Sequence, residues 1–174
     1  MKTLRLFLIL TASCSLLIGG ASLTANSSPV NPVSKDLSVV TQRELARVRA
    51  ATARYHNVGR AEANGYANLN FFEPGEGFHW EKGSLVDGVV DLEQPEDLIY
   101  ANVPNENGLK LVAVEYLVPF ECDGPVPDPP DGFTGDADEW ESENEDGFCF
   151  WKLTVWIWMH NPDGIFASSN PHLP

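Results

Sequence analysis

Apolar residues recur along the chain with two different periodicities. The change from one to the other divides the sequence into a helical part and a strand part. Across residues 41–64 apolar residues return every three or four positions, as Leu45, Val48 and Tyr55 do, which predicts helices with one buried face. From Tyr66 onward short alternating runs follow glycine-marked turns, which predicts strands. Helices before strands favour an α+β fold, with N-terminal helices packed on a curved antiparallel β-sheet. A β-barrel with a helical lid is the alternative.

The helical segment has recognisable ends. Thr41-Gln-Arg-Glu44 fits a capping box, in which a hydroxyl and a carboxylate satisfy backbone amides at a helix start. A break near Asn57–Gly59 precedes a short second helix over 60–64, and Gly65 suits the left-handed residue that ends it. We expect His56, at the end of the first helix, to contact the last backbone carbonyls.

Two later runs predict the strongest strands. Residues 109–118 are mainly apolar on both alternating sides, which predicts a strand covered on both faces, and Glu115 is the misfit within it. Residues 148–159 form the second run, and we expect it beside the first at the centre of the sheet. Residues 97–101 predict a shorter strand, and Asn161–Gly164 predicts a tight turn.

The first 25 residues have the pattern of a secretory signal. Lys2 and Arg5 form a positive start, and the apolar stretch Leu6–Ile18 and then small residues follow. Because the apolar stretch is short and interrupted by serine and threonine, a cleaved signal is favoured over a membrane anchor or a lipid anchor at Cys14. The sequence therefore predicts a secreted or periplasmic protein.

Removal of the signal leaves a strongly acidic chain. Residues 26–35 predict a flexible leader, and residues 36–174 are long enough for a single α+β domain. Without Lys2 and Arg5, nine basic residues face 25 acidic ones, a net charge of −16. This charge repels nucleic acid and anionic lipid, so we expect no nucleic-acid partner, and we expect no membrane span in the mature chain. The oligomeric state stays open.

Two cysteines, Cys122 and Cys149, bracket an acidic, proline-rich loop over 123–147. In an oxidising compartment we expect them to pair, which closes a loop of about 27 residues and stabilises the fold by roughly 3–4 kcal/mol. Free thiols or thiol metal ligands are the alternative. The interval contains ten acids and no base, which predicts a solvated loop or a Ca²⁺ site. The candidate Ca²⁺ ligands are Asp131, Asp136, Asp138, Glu139 and Glu141.

Candidate chemistry lies where polar residues interrupt apolar segments. Glu115 must find partners or shift its pKa; it is a candidate base, metal ligand or ligand anchor, or it pairs with an arginine of the first helix. His79 lies among glycines and aromatics and is a candidate metal ligand or acid, or else a hydrogen-bonded strand residue. Trp156, Trp158 and His160 alternate, which predicts an aromatic pocket wall with one polar end, or core topped by a rim histidine.

Three functions follow from these candidates. The first is a secreted protein that binds a small ligand or a divalent metal ion in a pocket formed by His79, Glu115 and the stripe Trp156–His160. The second is an enzyme at the same place, with Glu115 as base and His79 as acid or metal ligand. The third is an extracellular interaction protein that acts through the acidic loop. For one ligand to bridge His79 and Glu115, we expect them within about 12 Å of each other.

Several short motifs follow one another across residues 50–171. They are Ala53–His56 with Ala61–Tyr66, then Gly77–Trp80, Leu111–Tyr116, Val155–Trp158, and Asn161–Phe166 leading into Asn170-Pro171. In this order they resemble a family of uncharacterised secreted proteins, mostly bacterial. The resemblance implies export and a single domain. Relatives have a histidine near the position of Thr154, which implies a His/Glu/His site that is incomplete in this chain.

Overall fold

Two short helices precede six antiparallel strands. The computed structural model describes residues 37–174, so the predicted signal, the leader and Cys14 lie outside the described residues. Helix α1 (Val39–Thr52), a 3₁₀ turn (Ala53–His56) and helix α2 (Val58–Ala63) come first. The strands are β1 (Ala67–Glu73), β2 (Gly77–Glu81), β3 (Asp97–Asn102), β4 (Leu109–Phe120), β5 (Glu141–Glu145) and β6 (Phe148–Val155).

The strands form one sheet in the order β1-β2-β3-β4-β6-β5, which curls into a half-barrel. The α+β prediction of helices with a curved antiparallel sheet is therefore confirmed. The two strongest predicted strands, β4 and β6, are neighbours, as expected. The first continues to Phe120, beyond its predicted end. The second stops at Val155, four residues early, because the Trp156 amide donates to the Ile165 carbonyl outside the sheet.

Helix α1 begins earlier than its sequence pattern indicates. Ser38 caps the helix, and its Oγ accepts a hydrogen bond from the Thr41 amide at 3.0 Å. The predicted capping box is wrong, because Glu44 instead accepts from the amide and hydroxyl of Thr134, at 2.8 and 2.6 Å. Gly65 has a φ of 93° after α2, as predicted. Neither helix has the length and apolar character that a bilayer crossing requires.

The helices cover one face of the sheet, called the helix face below. Alternate strand residues such as Leu98 and Leu153 are completely buried there and share a core with Leu45 and Val48 of α1. The helical spacing of apolar residues on α1 and their alternation on the strands both direct side chains into this single core. The shared core explains why the sequence has both periodicities.

The acidic segment is tied to this core at several points. The predicted disulfide between Cys122 and Cys149 is present. Phe133, 3% exposed, packs into the helix-face core against Phe166, so the segment contributes more core than a solvated loop would. Its last part is strand β5, Glu141–Glu145, which pairs with β6. Only part of 123–147 is therefore an excursion into solvent.

Candidate functional site

The face opposite the helices has a row of polar side chains. Strand register places Glu81, Asp97, Glu115 and Thr154 directly opposite one another on β2, β3, β4 and β6. Direct cross-strand partners point to the same side of a sheet. His79 lies two residues from Glu81 on β2 and so shares this face. Pairing of strands that are distant in sequence thus assembles a polar cluster.

A cavity of about 90 Å³ opens on this face. Both edge strands of the sheet, β1 and β5, contribute to its wall, so the cavity is the interior of the half-barrel. Every strand supplies a charged or titratable residue to the wall: Glu73 from β1, His79 from β2, Asp97 from β3, Glu115 from β4, Lys152 from β6 and Glu145 from β5.

His79 is the centre of the polar cluster and is 5% exposed. Its Nδ1 lies 2.7 Å from Asp97 Oδ2 and 3.7 Å from Glu115 Oε2. Its Nε2 is buried and has no hydrogen-bond partner within residues 37–174. The nearest carboxylate oxygens to Nε2 are Glu73 Oε2 at 3.8 Å and Glu76 Oε2 at 3.9 Å. The Glu76 oxygen is also buried and accepts from no N–H or hydroxyl donor in the same described region, and the Glu76 carboxyl lies against that of Glu115.

Lys152 binds the opposite oxygens of the same two glutamates. Its Nζ lies 3.0 Å from Glu76 Oε1 and 3.9 Å from Glu73 Oε1. Each carboxylate therefore turns one oxygen toward the ammonium group and the other toward the imidazole. Glu115 is held differently, because its Oε1 accepts a hydrogen bond from Thr154 Oγ1 at 2.7 Å. Its contacts are thus with Thr154, His79 and the carboxyl of Glu76, and not with an arginine of the first helix.

The turn between β1 and β2 positions the two glutamates. The Glu76 amide donates to the Glu73 carbonyl at 3.0 Å. The middle of the turn is held from outside the sheet, since the Gly75 amide donates to the Pro174 carbonyl and the Asn170 amide donates to the Gly75 carbonyl, both at 2.8 Å. Gly75 has a φ of 82°, which a residue with a side chain rarely adopts.

Burial and crowding of acids shift the pKa values in the cluster. Desolvation, reinforced by the charge of Glu115, raises the pKa of Glu76 to about 8. Burial also raises the pKa of Asp97 and of Glu115. For His79 burial alone would lower the pKa, but the hydrogen bond to Asp97 and the surrounding carboxylates outweigh it and raise the pKa to about 9. The cluster has an excess of acid that a bound cation would relieve.

Two sets of three donor side chains converge in the part of the chain that the structure describes: Glu73–Glu76–His79 and His79–Asp97–Glu115, each within 4.8 Å. In the second set Nδ1 is engaged with Asp97. In the first set Nε2 is unengaged, and its distances of 3.8 and 3.9 Å to the two oxygens are close to the edge of about 3.4 Å expected for a tetrahedron of 2.1 Å bonds. Small side-chain shifts would let the first set hold an ion.

Asp97 completes an arrangement typical of metal sites. A histidine ligand commonly donates its second ring N–H to a carboxylate, which fixes the tautomer and the orientation of the ring. The 2.7 Å contact of Asp97 with Nδ1 does this here and leaves the Nε2 lone pair for an ion.

The structure brings together two of the residues singled out in the sequence. His79 and Glu115 are 3.7 Å apart, well within the expected 12 Å. Four other members of the cluster were missed: Glu73, Glu76, Asp97 and Lys152. The first two have a signal in the sequence, because glutamate, glutamate and histidine follow one another at intervals of three from residue 73 to residue 79.

The stripe Trp156–His160 lies outside the cavity. Because β6 ends at Val155, strand alternation does not continue through it. Trp156 is buried in a separate apolar cluster, whereas Trp158 packs edge-on against His56, with ring centroids 4.3 Å apart. His160 is exposed and lines a different surface pocket with Trp158. The expected pocket of His79 and Glu115 walled by these three residues is therefore corrected.

The acidic loop does not provide a comparable set of donors. Asp138 Oδ2 accepts a hydrogen bond from the Phe133 amide at 2.7 Å, which fixes the loop to the core. Both donor sets found within residues 37–174 surround His79, and neither contains a residue of 123–147. The predicted Ca²⁺ ligands thus gain no support.

A histidine with one nitrogen unengaged, two carboxylates facing it, an orienting aspartate and a small cavity form a coherent site. No protein-family model, no curated protein and no solved structure matches the chain.

Proposed function

We propose that the protein binds a divalent transition-metal ion through His79 Nε2 and the Oε2 atoms of Glu73 and Glu76. The observation that supports this most is the buried Nε2 atom, which has no partner within residues 37–174 and faces a buried oxygen of Glu76 that also lacks an N–H or hydroxyl partner there. Leaving a buried polar atom unsatisfied costs about 1–3 kcal/mol. An ion between the three donors would satisfy both atoms at once.

The donor set favours a borderline ion over a hard one. Imidazole with carboxylates suits Zn²⁺ or Mn²⁺, whereas Ca²⁺ takes oxygen ligands. Three protein ligands leave at least one coordination position, and His79 and Glu73 line the cavity where that position would open. The disulfide is compatible with an extracellular or periplasmic location, in which such an ion would be acquired from outside.

The site couples metal binding to proton release. With a pKa of about 9, the His79 imidazole is protonated at neutral pH before the ion arrives. The ion displaces the Nε2 proton, so affinity increases as pH rises toward 9. Asp97 stays hydrogen-bonded to Nδ1 in both forms and keeps the ring in place.

Calorimetric titration of the EDTA-stripped protein with ZnCl₂ at pH 8 tests the proposal. We expect one ion per chain and, for His79→Gln and Glu73→Gln, at least about tenfold weaker binding, because each removes one ligand. His172→Gln is the matched control, since it removes an exposed imidazole outside the cluster. Zinc binding that survives His79→Gln unchanged, in a variant with the circular dichroism of the parent, would contradict the proposed site.

Acid–base catalysis at the same residues is the second candidate. The observation that favours it is the Asp97–His79 pair at the cavity wall, because an imidazole oriented by a carboxylate is a common catalytic group. With its pKa raised to about 9, His79 would act as an acid, not as a base, at neutral pH. An ester or glycoside hydrolysis rate that falls above pH 9 and is lost in His79→Gln would support this candidate. The interaction role of the acidic loop stays a prediction.

A further inference from the structure

Two acids in the cavity wall take no part in the proposed metal site. Glu81 of β2 and Glu145 of β5 both line the cavity, and neither forms an ion pair within residues 37–174. The two strands lie in opposite halves of the sheet order, yet both acids line the same cavity. Curling of the sheet has thus brought two carboxylates toward each other across the cavity.

The cavity stays acidic even with the ion in place. Five carboxylates line it, namely Glu73, Glu81, Asp97, Glu115 and Glu145, and a sixth, Glu76, adjoins Glu73 and His79 behind the wall. Lys152 and a divalent ion supply three positive charges, and His79 is neutral as a ligand, so three negative charges are in excess when all the acids are ionised. A cavity lined by one sign of charge concentrates ligands of the opposite sign. Carboxylates and phosphates are therefore poor occupants.

Three large apolar side chains flank the same opening. Leu69 and Phe71 of β1 and Phe148 of β6 line the cavity and are 46%, 48% and 49% exposed. The Phe71 ring lies 5.5 Å from the His79 ring, centroid to centroid. Aromatic faces attract cations as well as hydrocarbon chains. A matching ligand therefore has a positive group and an apolar part.

The dimensions and the strand edges favour a small molecule over a peptide strand. The cavity volume of about 90 Å³ equals roughly three waters, enough for an ammonium group and two or three carbons, so a fourth carbon would lie along the exposed rings at the mouth. The edge strand β1 contains a register shift and Asn70 at a φ of 54°, and the other edge, β5, has three glutamates. Bulges and charges of this kind hinder the pairing of an added strand.

We propose that the cavity, with its metal ion bound, takes a small organic cation: a primary ammonium group on a short apolar stem. The ammonium group lies between Glu81 and Glu145, and the stem contacts Phe71 and Phe148. This inference rests on the proposed metal site, because an ion at His79 fills the inner end of the cavity and leaves the mouth for the ligand.

The experiment compares isosteric probes of opposite charge on the zinc-loaded protein. n-Butylammonium and butyrate are titrated separately at pH 7, and amide shifts of Phe71 and Phe148 are followed by ¹H–¹⁵N NMR. We expect saturable shifts with butylammonium and none with butyrate at equal concentration. Glu145→Gln should weaken butylammonium binding roughly threefold to tenfold. Asp146→Asn is the matched control, because it removes the neighbouring charge at an exposed turn position outside the cavity wall.

The outcomes separate this inference from the metal site beneath it. Zinc binding without butylammonium binding overturns the inference and leaves the proposed function standing. Equal or tighter binding of butyrate also overturns it, because the bound zinc ion would then attract an anion and the cavity would not be selective for cations. Butylammonium that binds only the zinc-free protein, and that zinc displaces, would show that the amine occupies the metal position instead of the mouth. Absence of zinc binding removes both proposals.

Discussion

The two faces of the sheet are built from alternate residues of the same strands, yet they differ in how buried polar atoms are paired. On the helix face three buried tyrosine hydroxyls each donate to a backbone carbonyl, from Tyr66 to Pro95, from Tyr100 to Tyr55 and from Tyr116 to Leu92, at 2.6–2.7 Å. On the cavity face charged groups are crowded together, and the buried His79 Nε2 and Glu76 Oε2 atoms have no N–H or hydroxyl partner within residues 37–174.

This difference suggests that the helix face mainly stabilises the fold, whereas the cavity face is suited to binding a ligand. A polar atom paired inside the fold contributes to one native arrangement, whereas an unpaired buried atom costs free energy unless a ligand satisfies it. We therefore expect substitutions on the helix face to change unfolding alone, and substitutions on the cavity face to change zinc binding, with or without a change in unfolding. Four substitutions test this contrast.

Leu98→Ala should have the largest effect on stability. Leu98 is completely buried on the helix face, so its truncation leaves a cavity and lowers the free energy of unfolding by about 2–5 kcal/mol. Urea denaturation measures the loss. The zinc affinity of the folded variant should match that of the parent, and a large drop in affinity would show that the two faces are coupled.

Lys152→Met tests the cavity face. Lys152 is buried beside Glu76 and Glu115, and its removal leaves their charge uncompensated, at a cost of about 3–5 kcal/mol at pH 8. The cost should shrink at pH 5, where Glu76, with its pKa of about 8, is protonated in the folded state. Because a bound dication replaces the missing charge, zinc should raise the melting temperature of the variant more than that of the parent. Equal shifts would contradict this.

Asp97→Asn should weaken zinc binding without removing a ligand. The substitution leaves the three donor atoms in place but loses the charge that orients His79, and such changes weaken metal binding about 10- to 100-fold. Asp163→Asn, an exposed aspartate, is the control in the same zinc titration.

The same variant has a signature in the metal-free protein. The pKa of His79 is raised from 6.5 to about 9, so its protonation stabilises the folded state fully below pH 6.5, and this stabilisation is lost as pH rises through 9. NMR titration of the imidazole should show a lower pKa in Asp97→Asn. An unchanged pKa would rule out Asp97 as the orienting group.

Glu96→Gln should stabilise the protein slightly. Glu96 is 1% exposed, its Oε2 accepts from the Leu117 amide, and desolvation raises its pKa to about 8. The unfolded chain ionises this acid near pH 4.5, so between pH 4.5 and 8 the acid increasingly disfavours folding. A neutral glutamine removes that penalty. We expect a gain of about 1–2 kcal/mol at pH 8 and none at pH 4 in urea denaturation.

The helices and strands could be predicted from the sequence where they depend only on the spacing of apolar residues within one segment. Leu45 and Val48 at helical spacing, and the alternation in β4 and β6, predicted the helices, both long strands and their adjacency. The predicted extension of β6 through Met159 is wrong, because apolar alternation in the sequence continues past Val155, where the backbone leaves the sheet. Side-chain pattern does not report the hydrogen bond that ends a strand.

Only some residues of the site could be predicted from the sequence, for a related reason. His79 and Glu115 stood out as polar residues in apolar surroundings. Asp97 and Lys152 did not, because their role depends on register: Asp97 faces Glu115 across β3 and β4, and Lys152 reaches a turn 76 residues away. Register is set by pairing between strands, which a single sequence does not display.

The turn that presents Glu73 and Glu76 has a consequence for the order of assembly. Its Gly75 is fastened by Asn170 and Pro174, which the ribosome adds nearly a hundred residues later. A nascent chain that has made all of its candidate ligands therefore still lacks the fastening that fixes two of them. We therefore expect Glu73 and Glu76 to reach their final positions only late in folding, after residues 170–174 have packed against the turn.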